Sequence, residues 1–200
     1  MPIKHIVLDL GGVLIDLEWR QNIADLFGAQ ISATEAQHRW SLSPAVYAHE
    51  TGNMDLDQFV AAWCEEQQLD SCNAVKSAFL SLLGGLKPHT KSMLKTMGER
   101  FTLSMLSNIS RAHIQHLDER MALKHQFSRR FLSCDLGKMK PSTDVFQRVV
   151  SELHSDVRQV AFFDDTAINV DAATAAGLHA WRVDSPREIM RIIQTDGVFE

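Results

Sequence analysis

No run of apolar residues in this 200-residue chain approaches the roughly 18–20 that a membrane helix requires. A lysine- and arginine-rich block is missing as well. Lys plus Arg number 20 against 25 Asp plus Glu, a formal charge of −5, so no electrostatic footprint for DNA or RNA is present. The three cysteines, Cys64, Cys72 and Cys134, form neither a Cys-x-x-Cys pair nor an even set, and reduced thiols are the simplest reading. The opening MPIKHIVLDL is too short and too soon charged for a secretory signal, so a cytoplasmic location is expected. Neither an internal repeat nor a low-complexity tract breaks the chain. What remains is an ordinary globular composition, 45% hydrophobic and 22% charged, long enough for one core domain carrying a modest insertion. A small anionic substrate stays open, because one metal ion or helix terminus reverses the local field.

A strand–helix rhythm is present. Ile3 to Leu8 reads as a buried strand ending at Asp9, Phe101 to Leu106 as one ending at Ser107-Asn108, and Val160 to Phe163 as one ending at Asp164-Asp165. Arg130 to Ser133 and His179 to Val183 are weaker strands. Pro88 and Gly98 bracket one helix, and Val145, Phe146, Val149, Val150 and Leu153 fall at helical spacing in another. Thr166 to Ala176 is an alanine-rich third, with Gly177 placed as its C-cap glycine. Short apolar runs alternating with helices predict an α/β fold with a parallel sheet covered on both faces.

Residues 17–84 break that rhythm. They hold no convincing strand but several helical patterns, such as Leu56-Phe59-Val60-Trp63 and Val75-Phe79-Leu82-Leu83. A connection this long exceeds what a crossover needs, so a helical lid is expected at 17–84 over a core formed by 1–16 and 85–200. Gly11-Gly12 and Gly84-Gly85 are its expected hinges. Trp19, Trp40, Tyr47 and Trp63 are expected to fill the lid's own core rather than to stack on sugars. His49-Glu50-Thr51-Gly52 reads as a helix end and turn, with Glu50 the first candidate for substrate contact. His113 and His116 stand three apart on a helix with no third ligand in sight, and a surface face is expected for both.

In open parallel sheets, ligands bind beyond the carboxyl ends of the strands, so Asp9, Ser107, Asp164 and Asp165 should converge. Lys140, just before a helix, can join them. A carboxylate nucleophile, a hydroxyl, an ammonium and an acidic pair make a phosphate-transfer set. The acidic pair suits Mg²⁺, which screens a carboxylate from a phosphate dianion. Ser107 and the amides after it can bond phosphate oxygens, and Lys140 can neutralise developing charge.

Asp9-Leu10-Gly11-Gly12-Val13-Leu14, Leu106-Ser107-Asn108, Lys140-Pro141 and Phe163-Asp164-Asp165 resemble, in order, the four motifs of the haloacid dehalogenase-like (HAD) hydrolase superfamily. The stretches 135–141 and 162–169 look closest to its sugar-phosphatase branch, which includes α-D-glucose-1-phosphate phosphatases. The resemblance implies a Rossmann-like parallel-sheet core with an inserted helical (C1-type) cap. It implies Asp9 as the nucleophile that becomes an aspartyl-phosphate, Ser107 with Asn108 as phosphate binders, and Lys140 as the brace between Asp9 and the phosphate. Mg²⁺ would be held by Asp9, the Gly11 carbonyl and Asp165, which lies twelve residues before Gly177, with Asp164 as a further ligand or as support behind it. Asn169 would orient Lys140 or metal-bound water. The implied partner is a small phosphorylated metabolite, with no nucleic acid, membrane or obligate protein partner.

Gly11 departs from the pattern. Family phosphatases carry a second Asp two residues after the nucleophile as general acid and base, a role worth about 10²–10⁴ in rate. Asp16 and Glu50 are candidates to replace it. Three other readings stay open: a metal-free 2-haloacid dehalogenase of the same fold, a phosphomutase, and a catalytically silent binding or regulatory module.

Overall fold

The apolar runs take up strand geometry where their neighbours let them pair on both sides. The computed structural model describes residues 1–121 and 123–200, with side chains for all of these except residues 20, 21 and 28–30. Its seven strands are β1 (His5–Leu8), β2 (Ile15–Leu17), β3 (Leu83–Leu86), β4 (Thr102–Ser107), β5 (Arg129–Leu132), β6 (Val160–Asp164) and β7 (His179–Arg182). Five of them form one sheet in the order β5-β4-β1-β6-β7, every pair parallel. This is the Rossmann-like parallel-sheet core the sequence implies.

Side-chain alternation supplies two separate cores. Ile6 and Leu8 of β1, Leu103 and Met105 of β4 and Phe163 of β6 point to one face, where helices α5 (Thr90–Gly98), α6 (Arg111–Met121) and α10 (Pro186–Thr195) cover them. Val7, Leu106, Phe131 and Phe162 point to the other, under α8 (Thr143–Leu153) and α9 (Ala167–Ala175). Burial on both faces is why the central strands read as mainly apolar runs rather than as alternating ones.

The stretch from Trp19 to Leu82 builds a third core of its own. After two irregular helical turns come α1 (Ala33–Leu42), α2 (Pro44–Glu50), α3 (Leu56–Gln67) and α4 (Cys72–Leu80). Each starts on a side chain that accepts from a first-turn amide: Ser32, Ser43, Asp55 in a full capping box with Gln58, and Ser71. Trp40, Phe59, Trp63 and Phe79 meet at its centre, with ring centroids 5.5 to 5.9 Å apart between Trp40 and each of the other three. Trp40 and Trp63 are thus core residues, as expected, and Trp19 packs against them. Tyr47 is not; it is half exposed.

One expectation is corrected at the ends of this stretch. Ile15–Leu17 and Leu83–Leu86 are strands, paired antiparallel, so Gly84-Gly85 lies within β3 rather than in a loose return. Gly84 is held so close to β2 that an added Cβ would stand 3.1 Å from the Asp16 carbonyl oxygen. The two chain crossings therefore form a laced two-strand stalk.

Candidate active site

Register brings the predicted residues together. Leu8 of β1 pairs with Met105 on one side and Phe163 on the other. Asp9, one step further, comes level with the ends of β4 and β6, where Ser107 and Asp164 stand. The Asp9 amide continues the ladder by donating to the Phe163 carbonyl (2.9 Å). Asp9, Ser107, Lys140, Asp164 and Asn169 are all buried, and Asp165 is half buried.

Lys140 sits at the centre. Its Nζ lies 2.8 Å from Asp9 Oδ1 and 2.6 Å from Asp164 Oδ2. Asn108 fixes the lysine backbone from both sides: Lys140 N donates to Asn108 Oδ1 (2.8 Å), and Asn108 Nδ2 donates to the Lys140 carbonyl (2.9 Å). Asn108 lines the cavity, but its side-chain amide is committed to Lys140. The Ile109 amide is also engaged, by Ser133 Oγ at 2.8 Å. Asp164 is saturated too, since Oδ1 accepts from the Thr166 amide (2.8 Å) and from Asn169 Nδ2 (3.0 Å). Asn169 thus touches Asp164, and through it orients Lys140.

Burial sets the electrostatics. Burial by itself would lower the Lys140 pKa, but the Asp9 and Asp164 carboxylates outweigh it and hold it at about 12. Burial pushes Asp9 up to about 7 against the pull of Lys140, with Asp164 adding to the rise. Asp165 is raised for the same reasons, burial first and Asp164 second. Carboxyl oxygens of Asp9, Asp164 and Asp165 lie within 4.8 Å of one another. An all-oxygen donor set at this spacing fits a hard cation such as Mg²⁺. Asp9 and Asp165 suit direct ligation, whereas Asp164, with both oxygens bonded inside the protein, suits support behind it.

Gly12 makes room for this cluster. Its φ is +76°, and a Cβ there would fall 2.1 Å from Asp165 Oδ2, so only glycine meets both demands. At Gly11 an added Cβ would press against Leu17 of β2, 3.1 Å from its Cδ1.

A cavity of about 630 Å³ opens above the strand ends. Asp9, Ser107, Lys140 and Asp165 lie on its floor, and Trp19, Trp40, Tyr47, Glu50 and Leu82 line the side given by the helical segment. Glu50 is the C-terminal residue of α2, followed by the turn at Thr51-Gly52, as expected. Its carboxyl is buried, which pushes its pKa up to about 7; the nearby Trp40 side chain and the charge of Lys140 oppose the rise. Asp16, the other candidate acid, is exposed, lies outside the cavity and faces Lys87 at 3.9 Å.

The surface expected for His113 is also corrected. His113 is buried, stacks on Phe79 with ring centroids 3.9 Å apart, and its Nε2 bonds the Phe79 carbonyl of α4 at 2.7 Å. Its partner in the spacing argument, His116, is half buried and contacts Arg120. A second link between helical segment and sheet runs through α7 (Ser133–Leu136): Ser133 Oγ donates to the Glu50 carbonyl (2.6 Å). Neither contact is legible from local pattern, although His113 does stand four residues before the buried Leu117.

A family model described as haloacid dehalogenase-like hydrolase matches residues 3–177. Among solved structures, a HAD family enzyme from Bacteroides thetaiotaomicron, in complex with magnesium and inorganic phosphate, is 22% identical over 90% of this chain and 93% of that one, with a TM-score of 0.76. A predicted HAD-like family hydrolase from Porphyromonas gingivalis is 23% identical over 98% and 100% of the two chains, at 0.79. The L-2-haloacid dehalogenase from Xanthobacter autotrophicus, with chloropropionic acid covalently bound, is 17% identical over 98% of this chain and 84% of that one, at 0.68. Identities this low speak for the fold alone.

Proposed function

The chain belongs to the haloacid dehalogenase-like hydrolase family, and from that premise we propose that it hydrolyses small phosphate monoesters, sugar phosphates such as glucose 1-phosphate among them, through a phosphoryl group carried on Asp9. One observation carries this reading. Three carboxylates cluster at the converging strand ends, two of them paired with the Lys140 ammonium, an excess of negative charge that accepts a phosphate only together with a cation.

In this reading residues 17–84 act as a cap over a core of residues 1–16 and 85–200. Asp9 Oδ1 is oriented by Lys140, and the carboxylate attacks phosphorus from the floor of the cavity. The Ser107 hydroxyl and the Asn108 backbone N–H hold phosphoryl oxygens, while Lys140 balances the charge that spreads over them in the transition state. Asp164 and Asn169 keep the lysine in place. Mg²⁺, held by Asp9, Asp165 and the Gly11 carbonyl, would supply positive charge against the repulsion between nucleophile and phosphate. The helical segment excludes bulk water from the site.

The cavity supports a substrate of modest size with one phosphate. Its volume of about 630 Å³ is that of a small-molecule site. Among the described residues lining it, Lys140 is the only lysine or arginine, and it is already paired with Asp9 and Asp164. Trp19, Trp40 and Leu82 offer apolar faces suited to a neutral leaving group, including the C–H face of a sugar.

The test is a screen of sugar phosphates, nucleotides and flavin phosphates with Mg²⁺, repeated with EDTA and with Asp9→Asn. Release of free phosphate that EDTA and the substitution both abolish supports the reading. Metal-independent turnover of a 2-haloacid would replace it with the dehalogenase reading, an isomerised sugar with a phosphomutase. No turnover at all would leave a binding module.

A further inference from the structure

A hydrolase acting through Asp9 must protonate the departing oxygen and later deprotonate a water, and residue 11 offers no side chain for either. The direction a side chain would take there is filled by Leu17. The other titratable groups on the cavity wall are poorly suited. Asp9 is the nucleophile, and Lys140 and Asp165 serve the charge balance. His113 gives its Nε2 to the Phe79 carbonyl, and burial pushes its pKa down to about 4. His38 and Tyr47 are exposed at the mouth. Asp16 lies outside.

Glu50 is different. It is buried at 7% exposure, belongs to no salt bridge among the described residues, and lines the same cavity as Asp9, Ser107 and Lys140. Its backbone is tied to the core through Ser133 Oγ, which anchors the end of α2 that carries the group at the cavity wall. We propose that Glu50 is a catalytic residue, the general acid and base that takes over the work of the side chain missing at Gly11.

The proposal rests on the phosphatase reading above and completes its chemistry. In the first half, an Asp9 oxygen bonds phosphorus while the bond from phosphorus to the leaving oxygen breaks. That oxygen keeps the electron pair and takes the Glu50 proton, leaving an alcohol, a Glu50 carboxylate and a phosphoryl group on Asp9. In the second half, Glu50 takes a proton from a water whose oxygen attacks the same phosphorus. The bond to Asp9 breaks, and inorganic phosphate, the Asp9 carboxylate and protonated Glu50 are restored. Water enters where the leaving oxygen departed, so one carboxyl serves both halves.

The surroundings keep the group near the pH at which it must switch. Burial holds the proton on, and the Trp40 side chain and the Lys140 ammonium draw it off. The remaining titratable neighbours are the Cys134 thiol from α7, whose pKa burial and Asp135 raise with Glu50 adding to the rise, and His49 on its own helix, which burial keeps low.

The test compares wild type, Glu50→Gln and Asp9→Asn, each full length with Mg²⁺, on p-nitrophenyl phosphate and on an alkyl monoester such as a hexose phosphate. Glutamine keeps the size and a carbonyl oxygen of the glutamate but neither gives nor takes the proton. We expect the variant's kcat/KM on the alkyl ester to fall by about 10²–10⁴. On p-nitrophenyl phosphate, whose leaving group needs little help, one equivalent of nitrophenol should be released in a burst before slow turnover, with phosphate on Asp9 detectable by acid quench. Wild-type rates on both esters, or an equal loss on both without a burst, overturn the role of Glu50. Activity surviving in Asp9→Asn, or none in wild type, overturns the phosphatase reading itself, and the proposal falls with it.

Discussion

The Glu50→Gln substitution should also make the protein more stable, by an amount that depends on pH. Burial raises the Glu50 pKa from 4.5 to about 7. At about 1.4 kcal/mol for each pKa unit, the folded state disfavours the ionised carboxyl by about 3 kcal/mol relative to the unfolded chain. Below pH 4.5 both states carry the proton and the penalty is absent. Between pH 4.5 and 7 the unfolded chain releases its proton first, so the penalty grows, and above 7 it is complete. Glutamine is neutral throughout and keeps the shape of the glutamate. Wild type and variant should therefore melt together near pH 4.5, while at pH 8 the variant should melt about 6–12 °C higher for a chain of this length. Thermal melts of both proteins by circular dichroism, taken at half-unit pH steps from 4.5 to 8, measure this difference directly. Other groups titrate in the same range, but the comparison cancels them. A gap that stays constant with pH, or a variant less stable at pH 8, would refute the claim that an ionised Glu50 is uncompensated.

Three further outcomes are expected. Lys140→Met leaves Asp9 and Asp164 facing each other without the ammonium that lies within 2.8 Å of both; urea denaturation should show a loss of about 3–5 kcal/mol, and phosphatase turnover should vanish. Gly12→Ala places a Cβ where Asp165 Oδ2 now stands, at φ +76°; stability should fall by about 1–2 kcal/mol, and the Mg²⁺ concentration for half-maximal activity should rise by about tenfold or more. His113 has a folded pKa of about 4, depressed from 6.5 by burial, so the stability it confers is complete above pH 6.5 and is lost as pH falls toward 4, by about 3 kcal/mol in all. His113→Gln, which keeps an N–H for the Phe79 carbonyl but does not titrate, should flatten the acid limb of the stability curve measured by urea denaturation.

The centre of the parallel core was legible because β1, β4 and β6 each carry their own evidence, a short mainly apolar run and then a polar residue at the edge where chains turn, whereas β5 and β7, with Arg and His among their residues, read more weakly. α8 was legible for the same local reason, with Val145, Phe146, Val149 and Leu153 buried at helical spacing. The β2–β3 pair was not. Three residues of one strand and Leu-Gly-Gly-Leu of the other are too short to show a period, and their pairing joins parts of the chain about 70 residues apart. Long-range contact also hid the behaviour of single residues. Asn108 beside Ser107 suggests a phosphate contact, yet its amide reaches across to clamp Lys140. His113 beside His116 suggests a wet face, yet α4 closes over it. The residue types of the site could be read from the chain, but which atoms were already spoken for could not.

Carrying the proton donor on α2 rather than at residue 11 has a consequence for specificity. A carboxyl at residue 11 would sit on the core, beside the nucleophile, whatever the helical segment was doing. Glu50 shares the cavity with Asp9 because α2 is seated on α7, with the Ser133 hydroxyl on the Glu50 carbonyl and Gly52 so close to the Cys134 carbonyl that an added Cβ would lie 2.4 Å from it. Trp40 and Tyr47, which line the cavity together with Glu50, belong to the same helical unit. A leaving group that props this wall open would withdraw the proton it needs. Selection and proton transfer are then one event, in which binding energy from the correct substrate assembles the acid over the scissile bond. Water reaching Asp9 in an open site would find a nucleophile but no acid, so the arrangement penalises the wrong substrate in rate rather than in affinity alone.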